Sequence, residues 1–156
     1  IQHAGIIVFL QPTNDPQNPT IGLTHKGFGT YYNYSPNTVK VFGNTAAFLL
    51  IKKSIFEKVG PFNEDYIECY EDVELNIKCI TARLTNYFVG DAVCYHYESQ
   101  TRNNDNSKNQ RQGEDHHKRL IPTIIRNKKS YEYFENASVQ QLTSLFQLNP
   151  KTTHVV

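Results

Sequence analysis

Glu71-Asp-Val-Glu-Leu-Asn-Ile-Lys-Cys-Ile-Thr-Ala-Arg-Leu84 is the most regular stretch of the chain. Val73, Ile77, Ile80 and Leu84 recur at spacings of four, three and four, which a helix would gather into one apolar stripe. Glu71, Asp72 and Glu74 fall in the first turn and Lys78 and Arg83 toward the end, the charge order that the helix dipole favours. The stretch predicts a helix over 71–84 with one face on a core.

Short β-type runs surround it. Ile6 to Leu10 reads as a buried strand, broken by a following segment with Pro12, Pro16 and Pro19. Residues 21–37 are rich in Gly, Tyr, Asn and Pro and read as irregular surface. Val39 to Phe42 and Ala46 to Lys52 read as strands around Gly43-Asn44, and Ser54-Ile-Phe-Glu57 has the form of a capping box opening a short helix that Gly60 and Pro61 stop. Tyr87 to Val89 and Ala92 to Tyr95 read as a strand pair, or one kinked strand, around Gly90-Asp91. Beyond Ser99 the chain turns polar and Asn-rich as far as Gly113, a loop or disordered linker. A helix is expected from about Glu114, with a break or kink at Pro122, and a last one from Ser138 to Leu148. The pattern is α/β.

Composition limits the function classes. With 156 residues, 38% hydrophobic, ten Tyr and nine Phe, the chain can close one core. Sixteen Lys and Arg against fifteen Asp and Glu leave +1, which removes a whole-molecule electrostatic case for binding nucleic acid or a membrane surface. The longest strongly apolar run, Ala46 to Ile51, is far short of the roughly 20 residues of a spanning helix. Ile1 opens no signal peptide, no Met occurs, and the first residues read like the middle of an element, so a piece of a longer polypeptide is expected. Cys69, Cys79 and Cys94 form no Cys-x-x-Cys pair; they read as buried or neutral thiols of a reducing compartment.

Three groups of residues carry candidate chemistry. The acids from Glu64 to Glu74 gather at a loop-to-helix junction, where carboxylates act as bases or ligands but where the dipole alone also favours them. Adjacent helical residues point about 100° apart, so Glu71 and Asp72 divide chemistry and local structure between them. His96, closing Asp91-Ala-Val-Cys-Tyr-His96, suits a divalent metal, although a lone histidine is more often a structural, hydrogen-bonded one. His3, His25, His116, His117 and His154 have no ligand-like spacing. From Arg102 to Lys129 there are eight basic residues against three acidic ones, the composition of a solvated stretch or an anion-facing one. Asn33-Tyr-Ser35 and Asn136-Ala-Ser138 match the glycosylation acceptor pattern with no secretory signal beside them.

Read in order, Gln2-His-Ala-Gly5, Asn44-Thr-Ala-Ala-Phe-Leu-Leu-Ile-Lys-Lys53, Phe56-Glu-Lys-Val-Gly-Pro-Phe-Asn-Glu64, Glu71-Asp-Val-Glu-Leu75 and Asp91-Ala-Val-Cys-Tyr-His96 resemble the C-terminal half of family 2 glycosyltransferases. The resemblance covers residues 1–99. It implies a partial GT-A fold, a Rossmann-like sandwich whose acceptor-side half has a mixed sheet and flanking helices. It leaves 100–113 as a polar linker and 114–156 as a helical extension. It further implies transfer of a sugar from a nucleotide-diphosphate donor to an acceptor hydroxyl, usually with inversion, at the cytoplasmic side of a membrane or in the cytoplasm. Carried over by position, Asp72 matches the catalytic base, Glu71 its motif partner, and His96 a histidine completing the Mn²⁺ or Mg²⁺ and diphosphate site.

The departures are Pro61 and Asn63 in a Gly-Gly-Phe-Asp pattern, Glu74 for Asp, Lys78 for Arg and Arg83 for Gly. The family's metal-holding Asp-x-Asp is absent, since no two of the six Asp residues lie two apart. The expectation is therefore an acceptor-side half, inactive alone and prone to self-association through uncovered apolar surface. The alternative is a non-catalytic carbohydrate-binding or assembly module using the aromatic loop from Phe28 to Tyr34.

Overall fold

The computed structural model describes residues 3–11, 14, 20–26, 37–97 and 107–127. The class is mixed α/β, with two small antiparallel sheets and several helices. The aromatic loop from Phe28 to Tyr34, both glycosylation patterns and the helix expected over 138–148 lie outside the described residues.

Strand β1 (Ile6–Gln11) pairs with β2 (Thr20–His25), Ile6 opposite His25 and Gln11 opposite Thr20. Alternation puts Ile6 and Val8 of β1 in the core. The second strand departs from the irregular segment expected after residue 20: Thr20, Ile21 and Thr24 are β-branched, and β1 supplies the ladder that a lone reading of the Gly-rich text does not reveal. Strand β3 (Val39–Val41) pairs with β4 (Asn86–Phe88). The Ile6 N–H donates to the Gly43 carbonyl at 2.8 Å and joins the two ladders. That approach needs Gly5, which sits at φ +111° and where a Cβ would lie 2.7 Å from Val41 Cγ1.

Ala46 to Lys52 is not the expected strand. Ala46–Phe48 forms a 3₁₀ turn, and the Thr45 and Ala46 N–H groups donate to side chains, not to a neighbouring strand. Helix α1 (Lys53–Val59) starts before Ser54, so the capping box does not form. The stop at Gly60 holds: its φ is +94° and its N–H donates to the Phe56 carbonyl at 3.0 Å.

Helix α2 (Glu71–Thr81) buries Val73, Leu75, Ile77, Cys79 and Ile80. It ends three residues before Leu84 because the chain turns into a Schellman closure. Arg83 adopts φ +60°, its N–H reaches the Ile80 carbonyl at 2.9 Å, and the Leu84 N–H reaches the Cys79 carbonyl at 2.9 Å. Residues 92–95 form no strand and are exposed; of the three cysteines, read as buried or neutral thiols, Cys79 is buried, Cys69 half-buried and Cys94 exposed.

The helix expected from Glu114 begins earlier, at Lys108. Helix α3 (Lys108–Glu114) runs through a π-helical stretch (Asp115–Leu120) into α4 (Ile121–Arg126). Pro122 lacks an N–H and crowds the carbonyl four residues back; the chain widens ahead of it and does not break. Leu120 and Ile124, both fully buried, pack with Ile6, Val8, Ile21, Phe42, Tyr66, Val73, Ile77 and Ile80 in one core. Among the described residues, no helix is long and apolar enough to cross a membrane.

Candidate functional site

The site is built on the turn between β3 and α1. Asn76, 3% exposed, donates from Nδ2 to the Asn44 carbonyl at 2.8 Å and accepts the Asn44 N–H on Oδ1 at 3.1 Å. A Cβ at Gly43 would lie 2.7 Å from Asn76 Cγ, so the close approach of turn and helix depends on that glycine. Asn86 Nδ2 holds the Phe42 carbonyl at 2.8 Å, and Asn44 Nδ2 donates to the Tyr87 carbonyl at 3.0 Å. A turn gripped from α2 and β4 in this way is preorganised.

Asp72 completes the grip from the first turn of α2. Its Oδ2 accepts the Ala46 N–H at 2.9 Å and its Oδ1 accepts the Val73 N–H at 2.8 Å. Each carboxylate oxygen keeps a further lone-pair direction for another hydrogen bond. Glu71 is partly buried at the same turn.

His3 closes the other side. Its Nε2 accepts the Thr45 N–H at 3.1 Å, so the neutral ring carries its proton on Nδ1. Its ring meets the His25 ring edge to face at 4.6 Å. Burial first, then the neighbouring His25, brings the His3 pKa down to about 4, against opposition from Asp72 and Asn44.

In front of this turn lies a cavity of about 1270 Å³ between the Thr45–Lys52 segment and the segment from Leu84 to His96. His3, His25, Asn44 and His96 supply polar lining; Phe48, Leu50, Ile51, Val89 and Val93 supply apolar walls. Much of that wall faces solvent: Leu50 is 99% exposed and Tyr95 91%. The structure thus places His96 on the cavity, exposed, while Asp72 and Glu71 are not among its lining residues. Asp72 bonds the Ala46 amide, between the lining residues Thr45 and Ala47. Among the described residues, no three His, Cys, Asp or Glu side chains converge to hold a metal ion. His96, which the resemblance assigns to an Mn²⁺ or Mg²⁺ site, belongs to no such group of three among the described residues.

Behind α2 lies a second polar cluster. Asp115 is fully buried, and its carboxylate accepts three successive N–H groups: Ile67 at 3.1 Å to both oxygens, Glu68 at 2.6 Å and Cys69 at 3.0 Å. Arg119 Nη1 pairs with it at 2.9 Å. Burial pushes the Asp115 carboxyl up, but the three backbone donors and Arg119 together outweigh it and hold the group below its ordinary value. Arg111 pairs with Glu68 at 2.9 Å, and His116 Nε2 lies 2.7 Å from the Ile21 carbonyl. The basic stretch from residue 102 is thus spent partly on ion pairs within the fold. Sequence reasoning missed His3, Asn76 and Asp115; only His3 carried a signal, in Gln2-His-Ala-Gly5.

No known family matches the chain, and no solved structure does. It is similar to the uncharacterized protein y4gI of Sinorhizobium fredii, 30% identical over 112 residues that make up 71% of this chain and 12% of that protein. It is also similar to the O-antigen biosynthesis protein RfbC of Myxococcus xanthus, 27% identical over 105 residues, 67% of this chain and 8% of that protein. The chain spans about a tenth of the length of these curated relatives.

Proposed function

We propose that this chain is the acceptor-side part of a GT-A glycosyltransferase of carbohydrate biosynthesis, the donor-binding half lying elsewhere in a longer polypeptide. The similarity to an O-antigen biosynthesis protein supports the carbohydrate assignment, and the family 2 resemblance over residues 1–99 supports the reaction type. The observation that carries the reading is the Asp72 carboxylate at the start of α2, bonded to the Ala46 amide between Thr45 and Ala47, which line the same cavity as His96. In this reading the Asp72 carboxylate takes the proton of an acceptor hydroxyl. The oxygen then forms its bond to the anomeric carbon as the bond to the nucleotide diphosphate breaks, with inversion. His96 donates a hydrogen bond to the departing diphosphate; a divalent metal would take its ligands largely from residues other than those described. Glu71 shapes the helix start.

A second reading has an observation of its own. Both Asp72 oxygens already accept backbone N–H groups, as in a carboxylate that only staples a turn to a helix within a non-catalytic module. The test is a panel of sugar nucleotides and hydroxyl acceptors offered to the full-length protein, with Asp72→Asn and Glu71→Gln beside it. Loss of a general base costs about 10²- to 10⁴-fold in rate. The proposal expects that loss for Asp72→Asn and a smaller one for Glu71→Gln. A folded full-length protein that transfers no sugar from any donor supports the module.

A further inference from the structure

We infer that Asp115 is a positioning residue for Asp72, acting through the segment 67–70 that leads into α2. The inference rests on the reading of Asp72 as the base, and it adds the C-terminal helical run to the machinery. Three consecutive N–H groups turned toward one point form an anion-binding nest, a device that usually receives a ligand. Here the chain fills it with its own buried carboxylate, and Arg119 balances the charge. The nest ends at Cys69. Tyr70 follows at φ +80°, a left-handed conformation uncommon outside glycine, and its carbonyl accepts the Glu74 N–H at 3.0 Å as α2 begins.

The same helical run holds this corner at two further points. Arg111 reaches Glu68 through Nε at 3.2 Å and Nη2 at 2.9 Å, and the His116 ring lies 5.6 Å from the Tyr70 ring. Asp72 is two residues beyond Tyr70, and its far contact is the Ala46 amide at 2.9 Å. The start of α2 is thus fixed between the π-helical stretch on one side and the 3₁₀ turn at Ala46 on the other. Releasing the nest frees the left-handed turn at Tyr70, and Asp72 loses its register against Ala46.

Hydrogen exchange of the full-length protein, read on peptides covering 44–48 and 66–70, tests this together with steady-state transfer kinetics. Asp115→Asn is expected to speed exchange at both places and to lower kcat by about 10- to 100-fold while leaving the acceptor KM nearly unchanged, since misplacement of about 1 Å costs that much. Arg111→Gln keeps the nest and releases Glu68 together with the Ser107 hydroxyl at the start of α3, so it gives a smaller change of the same kind should Asp115→Asn fold poorly. Lys118→Ala, on the exposed side of the run, leaves exchange and rate as they were. Faster exchange at 66–70 with wild-type exchange at 44–48 and wild-type kcat overturns the inference. Full activity in Asp72→Asn overturns instead the reading it rests on, whatever the exchange data say.

Discussion

The corner ahead of α2 and the outer wall of the cavity handle polarity in opposite ways. At the corner a fully buried carboxylate receives three backbone donors and a guanidinium; at the wall Leu50, Val93 and Tyr95 stand 99%, 64% and 91% exposed. A buried charge is tolerated only when fully partnered, whereas exposed side chains contribute little to the fold. The corner therefore carries stability and the placement of Asp72, and the wall is free to meet something else. Substitutions at the two places should separate these roles.

The largest effect is expected at the corner. Asp115→Ala takes from three N–H groups and the quarter-exposed Arg119 their one buried partner, and breaking a buried pair costs up to about 3–5 kcal/mol. Urea denaturation should show a loss of that order. A loss no larger than that of an exposed substitution would mean that the two regions do not differ in this way.

Acid should act on the site in two stages. His3 titrates near 6.5 when unfolded and near 4 when folded, so its contribution is complete above pH 6.5 and is lost as pH falls from there to about 4. His116, lowered chiefly by burial, works in the same direction. Asp115, held below its ordinary value, contributes above the unfolded carboxylate range and loses that contribution as pH falls through its folded value, below about 4. His3→Gln should flatten the upper stage of a plot of urea midpoint against pH without abolishing it, leaving the lower stage intact.

The α2 stripe was legible because Val73, Ile77 and Ile80 repeat on one face, and the mixed α/β class followed from it and its flanking strands. The run from Ala46 to Ile51 misled because apolar content alone resembles a strand, while its backbone donors are taken by His3 and Asp72 from 42 and 26 residues away. Asp115 was invisible for a similar reason: it sits in polar text, and its partners lie 46 to 48 residues upstream. Of the site, the placement of Asp72 at a helix start could be read from the text; the turn it grips could not.

The Gly expected at position 83 also gains a physical meaning. Arg83 adopts a left-handed conformation that costs a side-chain-bearing residue about 1–2 kcal/mol relative to glycine. Arg83→Gly should accordingly stabilise the protein by up to about 1 kcal/mol after the added flexibility of the unfolded chain is counted, a shift readable in the same urea curves.

The smallest stability change belongs to the wall. Leu50→Ser should alter stability by less than about 0.5 kcal/mol. It should nevertheless weaken the self-association expected of the isolated 156-residue chain in sedimentation at high concentration, since large exposed apolar patches drive contact between molecules. A stability loss comparable to that of Asp115→Ala would erase the contrast between the two regions.

The most direct measurement is the initial rate of sugar transfer by the full-length protein, wild type against Asp72→Asn, at matched folding and saturating donor. Removal of the carboxylate that opens α2 should lower the rate at least about 100-fold while the acceptor still binds. An unchanged rate in the folded variant would contradict the assignment of Asp72 as the base.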